Sequence, residues 1–269
     1  MKAGWIGFPR DDSDFWESVE LYAKIGYRGM EGGEALLGKG NDAENIHRFH
    51  ELGLEVLNVS TSVEEVKKNV EPVIERAKLV HTNRATIWSG SAMGMWHNQP
   101  PSKKDFYTEV EIMETAAVSL AKEDIKLCYH NHNPEFLLCY DNVPAIDHMM
   151  LNSQNLLLEI DVAWANYADA DPIAFLKRYA NRLGAVHLKD YIAKNTVHYE
   201  GEVAVDIPVF TSLGTGVVDI CGIMECMKHL NIEWAIYEQD NLRNLNSTES
   251  MTLSYLYMKE TGLLAQQSE

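Results

Sequence analysis

Five places in the chain carry side chains able to hold a cation or move a proton. They are Glu31, the run Tyr129-His130-Asn131-His132, the run Glu159-Ile160-Asp161, the run His187-Leu188-Lys189-Asp190 and the run Glu238-Gln239-Asp240. In an extended strand residues i and i+2 share a face. His130 and His132 therefore point the same way, as do Glu159 and Asp161. Gathering carboxylates and imidazoles at one buried place is costly unless something pairs them. A divalent cation does so, and mixed nitrogen and oxygen ligation suits Mn, Zn, Co or Fe better than Ca, with Mg also compatible. A single histidine at a strand end is more often an ordinary hydrogen-bonded residue. Four successive strand ends delivering His, Asp, His and Glu are hard to obtain by accident, so one divalent metal ion per chain, Mn or Zn for preference, is expected.

Those side chains need strands to present them. Short apolar runs at 2–8, 28–32, 54–60, 84–89, 125–132, 156–164, 183–190 and 233–240 read as eight strands. Between them lie stretches with helical spacing, such as Phe15, Val19, Tyr22 and Ala23, or Val63, Val66, Val70, Val73, Ile74 and Ala77. Strands joined by helices of this length run parallel. Asp12 or Ser13, and Thr61 or Ser62, are N-cap candidates. Asp171-Pro172 opens a helix, and Gly26, Gly53, Gly184 and Gly262 stand where helices should stop. Eight βα units in 269 residues predict a single domain over 1–269, a closed (β/α)8 TIM barrel. The first strand is followed by Phe8-Pro9-Arg10-Asp11-Asp12, with no glycine-rich phosphate loop of a doubly wound sheet. Leu213-Gly214-Thr215-Gly216 is a weak candidate for a phosphate cradle.

Composition narrows the partners. With 23 Lys plus Arg against 40 Asp plus Glu, the formal net charge is −17. Such a chain repels polyanions, so neither nucleic acid nor an anionic membrane is expected as a partner. Four cysteines, none in CxxC spacing, read as free thiols. No run approaches the roughly 20 apolar residues of a membrane span, nor does the N-terminus read as a signal peptide. A cytoplasmic location is the expectation.

The ordered motifs YHNHNPEF at 129–136, LEID at 158–161, HLKD at 187–190, LGTGVVD at 213–219 and YEQD at 237–240 resemble the sugar phosphate isomerase/epimerase superfamily, the xylose isomerase-like barrel group. The resemblance runs from the second strand to the eighth. It implies a metal held by Glu, Asp, His and Glu from strands five to eight. Asp161, His187 and Glu238 match the last three. The place of the first Glu holds His130, with His132 two residues on; one of them should be the ligand, and His132 is preferred as nearer the barrel mouth. Glu135 resembles a position that touches substrate. Endonuclease IV belongs to the same superfamily, but its cluster of three metals and basic groove do not suit this charge.

The expected chemistry is isomerisation or epimerisation of a sugar or keto-sugar. The metal polarises a carbonyl, and a carboxylate removes the proton on the adjacent carbon. Glu238 is read as ligand and base, His130 as a further proton carrier, and Lys189 as stabilising the enolate or pairing with Asp190. Glu31, Glu135 and Glu159, with Trp88 and Trp96 as aromatic walls, are read as facing a small polar, sugar-like substrate; Glu159 is alternatively an orienter of an imidazole. Trp5 and Arg10 could meet substrate, Arg10 as the one candidate clamp for a phosphate or carboxylate. The stretch 191–213 is read as a lid or a contact in a homo-oligomer. Histidine in place of the first carboxylate raises a second reaction, dehydration of a keto-cyclitol or an oxidised glycoside. A catalytically silent sugar-binding protein is the reading outside enzymology.

Overall fold

The structure is a computed structural model that describes residues 1–7, 15–90, 100–194, 196–200, 203–242 and 245–265. Its main sheet is parallel. We number its strands β1 (Lys2–Ile6), β2 (Gly29–Glu31), β3 (Glu55–Val56 and Val59–Thr61), β4 (Arg84–Ile87), β5 (Lys126–His130), β6 (Leu157–Asp161), β7 (Leu183–Leu188) and β8 (Trp234–Tyr237). The order around the sheet is the order in the chain, with β1 beside β8. The first half of β3 pairs with β2 and its second half with β4. Only Leu57 and Asn58 separate the halves, so the sheet closes on itself. Leu57 N donates to Met30 O at 2.8 Å and Gly33 N to Asn58 O at 2.9 Å across this seam. The closed barrel expected from the alternation is what the structure has.

Local chemistry sets the boundaries. Ser62 caps the helix Val63–Lys68, and Asp171 caps Pro172–Arg178 with Pro at its start. The apolar stripe from Val63 to Ala77 is buried as expected, save that Val70 is only partly so. It belongs to two helices, Val63–Lys68 and Glu71–Leu79. Asn69 is extended between them, and Pro72 at the second start favours a fresh helix over a continuous one. Gly26, Gly53 and Gly262 do end helices, with positive φ. Gly184 does not: it lies inside β7, where a Cβ would come within 2.3 Å of Cys128 Sγ. Its smallness serves close packing across the barrel. Cys128 is buried and, like Cys139, Cys221 and Cys226, free; burial pushes its thiol pKa up, so it stays a neutral packing group. No helix among the described residues is long and apolar enough to cross a membrane.

The barrel interior is charged. Arg84, at the start of β4, donates from Nη2 to Glu31 Oε1 at 2.6 Å and from Nη1 to Gly184 O at 2.7 Å. A paired charge this deep is tolerated, but removing one partner strands the other. Arg84→Met should therefore destabilise the fold by roughly 3–5 kcal/mol, read as a lower urea midpoint. The double variant with Glu31→Gln should recover part of that loss.

Candidate active site

Strands β5 to β8 bring their terminal polar groups to one level. In the register His130 faces Glu159, Asp161 faces His187, and Glu238 follows the last residue of β8. One ligand atom from each of His130, Asp161, His187 and Glu238 lies within 4.8 Å of the others. His132, the preferred ligand in the sequence reading, is outside this set. It sits one pleat further out, its ring 5.0 Å from that of His130 and 5.5 Å from Trp164.

Asp161 owes its orientation to a helix start. The expected strand over 156–164 ends at Asp161, because Val162–Tyr167 is helical with Asp161 as its N-cap. Oδ1 accepts from Ala163 N and Trp164 N, both at 2.9 Å. Asn131 clamps the backbone of the same residue through two hydrogen bonds. Oδ2 is left to face His130 Nε2 at 3.9 Å and Lys189 Nζ at 2.9 Å. The Lys189 contact is an ion pair without hydrogen-bond alignment, since Oδ2 has no hydrogen-bond partner. His130 Nδ1 and Glu159 Oε1 are also buried without one. Asp161 Oδ2, buried without a hydrogen bond and facing His130 Nε2, fits a divalent cation, and the donor set of two nitrogens and two carboxylates matches the chemistry of such a site.

His187 is held from both sides, Nδ1 by Glu238 Oε2 at 2.8 Å and Nε2 by Glu31 Oε2 at 2.7 Å. Burial favours the neutral ring, but Glu31 and Glu159, with the hydrogen bonds to Glu238 and Glu31, outweigh it and raise the pKa well above the histidine range. Burial would raise Glu238, yet Lys189 and His187 hold it well below the usual carboxylate range. Glu159 is likewise held at about 2 by His187, His130 and Arg84 against its burial. Burial, reinforced by Glu159, pushes Glu31 up despite His187 and Arg84. For His132 burial, then His130 and Lys189, lower the pKa well below its ordinary value, so its ring is neutral.

Two members of the cluster, His130 and Glu238, line a cavity of about 840 Å³, within the range of small-molecule sites. Glu31, Trp88, His130, His132, Glu238 and Asp240 are among its lining residues. Trp88 forms an aromatic wall, 5.4 Å from the His130 ring and 5.9 Å from the His187 ring, anchored by Nε1 donating to Ser60 Oγ. Trp96 and Arg10 lie outside the described residues. Trp5 turns away, packed edge-on against Tyr22 and Tyr27.

Two glutamates read as facing substrate are buried and are not among the residues that line the cavity. Glu135 accepts from Tyr129 Oη at 2.7 Å and His132 N at 2.9 Å and is fully buried. It fixes the turn carrying His132. Glu159 accepts from Thr86 Oγ1 at 2.9 Å and stands 3.3 Å from His187 Nε2 and 3.6 Å from His130 Nδ1. That geometry matches the orienter role, which metal-bound imidazoles require. Glu31, at the cavity floor, does the same for His187, steadied by Arg84.

Lys189 is fully buried and pairs with Asp161, with Glu238 at 3.1 Å and with Asp240 at 3.0 Å. It does not pair with Asp190, which points to the other face. Asp190 instead accepts from the backbone N–H groups of Tyr191, Gly214, Gly216 and Val218, all at 2.9–3.0 Å. The weak candidate for a phosphate cradle at Leu213–Gly216 is thus filled by the protein's own carboxylate. A Cβ on Gly216 would come within 2.2 Å of it. Asp190 also ties down the base of 191–213, where Asp190–Tyr191 pairs with Phe210–Thr211 below a hairpin of Thr196–Glu200 and Val203–Ile207. Asp190→Ala should leave buried donors unpaired and cost about 3 kcal/mol or more, seen in thermal melts as a lower Tm.

Comparison with known proteins meets this geometry. Residues 19–257 match the family described as xylose isomerase-like TIM barrel. The chain belongs to that family. Among curated proteins it is similar to an inosose dehydratase from Clostridium beijerinckii, 30% identical over 122 residues, covering 43% of this chain and 41% of the relative. The matched stretch therefore spans less than half of that relative. Among solved structures it resembles a sugar phosphate isomerase/epimerase from Parabacteroides distasonis, with 17% identity, TM-score 0.74, and 98% and 95% of the two chains covered. It also resembles a protein named IOLI that contains a bound zinc atom, with 13% identity, TM-score 0.70, and 97% and 98% covered. At these identities the solved structures speak to the fold alone.

Proposed function

We propose that the protein is a divalent-metal-dependent isomerase or epimerase of a sugar or keto-sugar, acting by removal of a proton next to a carbonyl. The observation that carries this reading is the convergence of His130, Asp161, His187 and Glu238 within 4.8 Å beside a cavity that His130 and Glu238 line. These four residues would hold the ion; the zinc atom in the structure of the similarly folded IOLI protein is in keeping with a divalent ion in this fold. Bound there, the ion supplies Lewis-acid polarisation of the substrate carbonyl.

The chain's own groups do the rest. Asp161 is fixed by its cap and by Asn131, so its Oδ2 is held ready for the ion with little reorganisation. Glu31 and Glu159 set the ring of His187. The close contacts of Glu238 with His187 and Lys189 both fall on Oε2. We assign the other oxygen, Oε1, to take the proton from the carbon. Lys189 brings positive charge toward the oxygen on which negative charge develops. Trp88 excludes water on one side. His132, neutral and lining the cavity, is assigned as a second proton carrier. His130 and His132 thereby exchange the roles first given them.

Dehydration of a keto-cyclitol or oxidised glycoside is the second reading, favoured by the inosose dehydratase relative. It shares the first step and departs when a β-hydroxyl leaves. The test is incubation with keto-sugars and cyclitols in deuterium oxide with added Mn²⁺, followed by mass spectrometry. Isomerisation or epimerisation gives deuterium at the carbon beside the carbonyl with the formula otherwise retained. Dehydration gives loss of water. Transfer of hydrogen between adjacent carbons without solvent label would contradict proton removal.

A further inference from the structure

Three carboxylates surround a single ammonium at this site. Lys189 Nζ is 2.9 Å from Asp161 Oδ2, 3.1 Å from Glu238 Oε2, and 3.0 Å from both Oδ1 and Oδ2 of Asp240. Asp161 and Glu238 belong to the proposed ligand set, whereas Asp240 does not. The ammonium also stands 5.1 Å from the Phe210 ring centroid and 5.7 Å from that of Trp164, aromatic faces that favour a cation. It therefore has two kinds of seat: one shared with the ion, one of its own.

We infer that Lys189 is a tethered cation that shares Asp161 and Glu238 with the metal and is retained by Asp240 when the metal takes them. This rests on the metal reading above. The physical basis is charge balance. Without the ammonium, Asp161 would lose its closest charged partner and Glu238 would keep His187 alone, which is costly for two buried carboxylates. The ammonium relieves that cost. An incoming divalent ion must take over both carboxylates against the repulsion of the ammonium. Asp240 holds the ammonium through both oxygens and the aromatic faces receive it, so that it need not leave the site. The lysine then lowers metal affinity and keeps the site folded and selective for ions that bind strongly enough to displace it. Asp240 acts in the opposite sense, as a positioning residue that draws the ammonium aside.

The test is Mn²⁺ binding to purified protein, measured from the electron paramagnetic resonance signal of free Mn²⁺, with no substrate present. Lys189→Met should bind Mn²⁺ more tightly than wild type, by about tenfold or more. Asp240→Asn should bind it more weakly by a similar factor, because the ammonium then has only the ligand carboxylates as charged partners. Thermal melts give a second readout: stripped Lys189→Met should melt lower than stripped wild type and gain more from Mn²⁺. Should stripped Lys189→Met fail to fold, Asp240→Asn, which keeps the lysine, still decides the matter. Unchanged or weaker binding by Lys189→Met overturns the inference, as does unchanged or tighter binding by Asp240→Asn. A lysine with a packing role alone would lower the melting temperature and leave the affinity where it was. Wild-type protein that takes up no Mn²⁺ sinks the metal reading itself, a different result from a wild type that binds while the variants fail to diverge.

Discussion

Glu238→Gln is expected to lower kcat by roughly 10²–10⁴-fold, the span associated with a lost general base, and to abolish solvent deuterium incorporation. The substitution keeps the size of the side chain while removing its charge. Glu238 stands just past the end of β8, lining the cavity, and its side chain is 16% exposed. The fold should thus survive, with a melting temperature near that of wild type once Mn²⁺ is supplied. Metal affinity should fall as well, since the amide is a poorer ligand than the carboxylate. Single-turnover measurements at saturating Mn²⁺ separate the two effects. Turnover restored fully by metal alone would show Glu238 to be a ligand without a role in moving the proton.

The second large effect concerns pH. His187 has its pKa raised well above 6.5 by the surrounding glutamates. A group raised in this way stabilises the folded chain below its unfolded pKa, and that stability is lost as pH rises through the folded value. Ligation requires the ring to give up a proton. In the presence of a chelator, this group's contribution should therefore make the protein less stable from about pH 6.5 upward. With Mn²⁺ bound that loss should disappear, because the stabilisation by metal grows by up to about tenfold in affinity per pH unit and offsets it until the folded pKa is passed. Thermal melts with and without Mn²⁺ across that range check this. A metal effect independent of pH would mean that His187 does not lose a proton on binding.

Much of this was legible from residue order. Eight apolar runs separated by amphipathic stretches specify a barrel because parallel strands need helical crossovers. The period of two in a strand put His130 with His132, and Glu159 with Asp161, on shared faces. That same rule excludes Lys189 from pairing with Asp190, a conclusion available from the sequence but not drawn there. The choice between His130 and His132 was not available. Both lie on one face, and which of them stands level with Asp161 depends on the stagger between neighbouring strands, a property of barrel closure. The capping role of Asp161 was hidden because Val162, Ala163 and Trp164 read equally well as strand or helix. Arg84 gave no signal as an interior ion: a charged residue at the start of an apolar run looks like a rim residue until its partner Glu31 is seen 53 positions away. The filled cradle at Gly214–Gly216 shows the converse error, a glycine-rich turn whose anion is supplied by Asp190.

The site is proposed to hold one divalent ion through His130, Asp161, His187 and Glu238. Crystals grown with Mn²⁺ and measured for anomalous scattering test it most directly. The predicted result is one strong anomalous peak per chain within ligand distance of those four side chains, with the ring of His132 outside the coordination sphere, and with the peak lost in Asp161→Asn at the same Mn²⁺ concentration. No peak at the ends of β5 to β8, or a peak coordinated by His132 with His130 excluded, would contradict it.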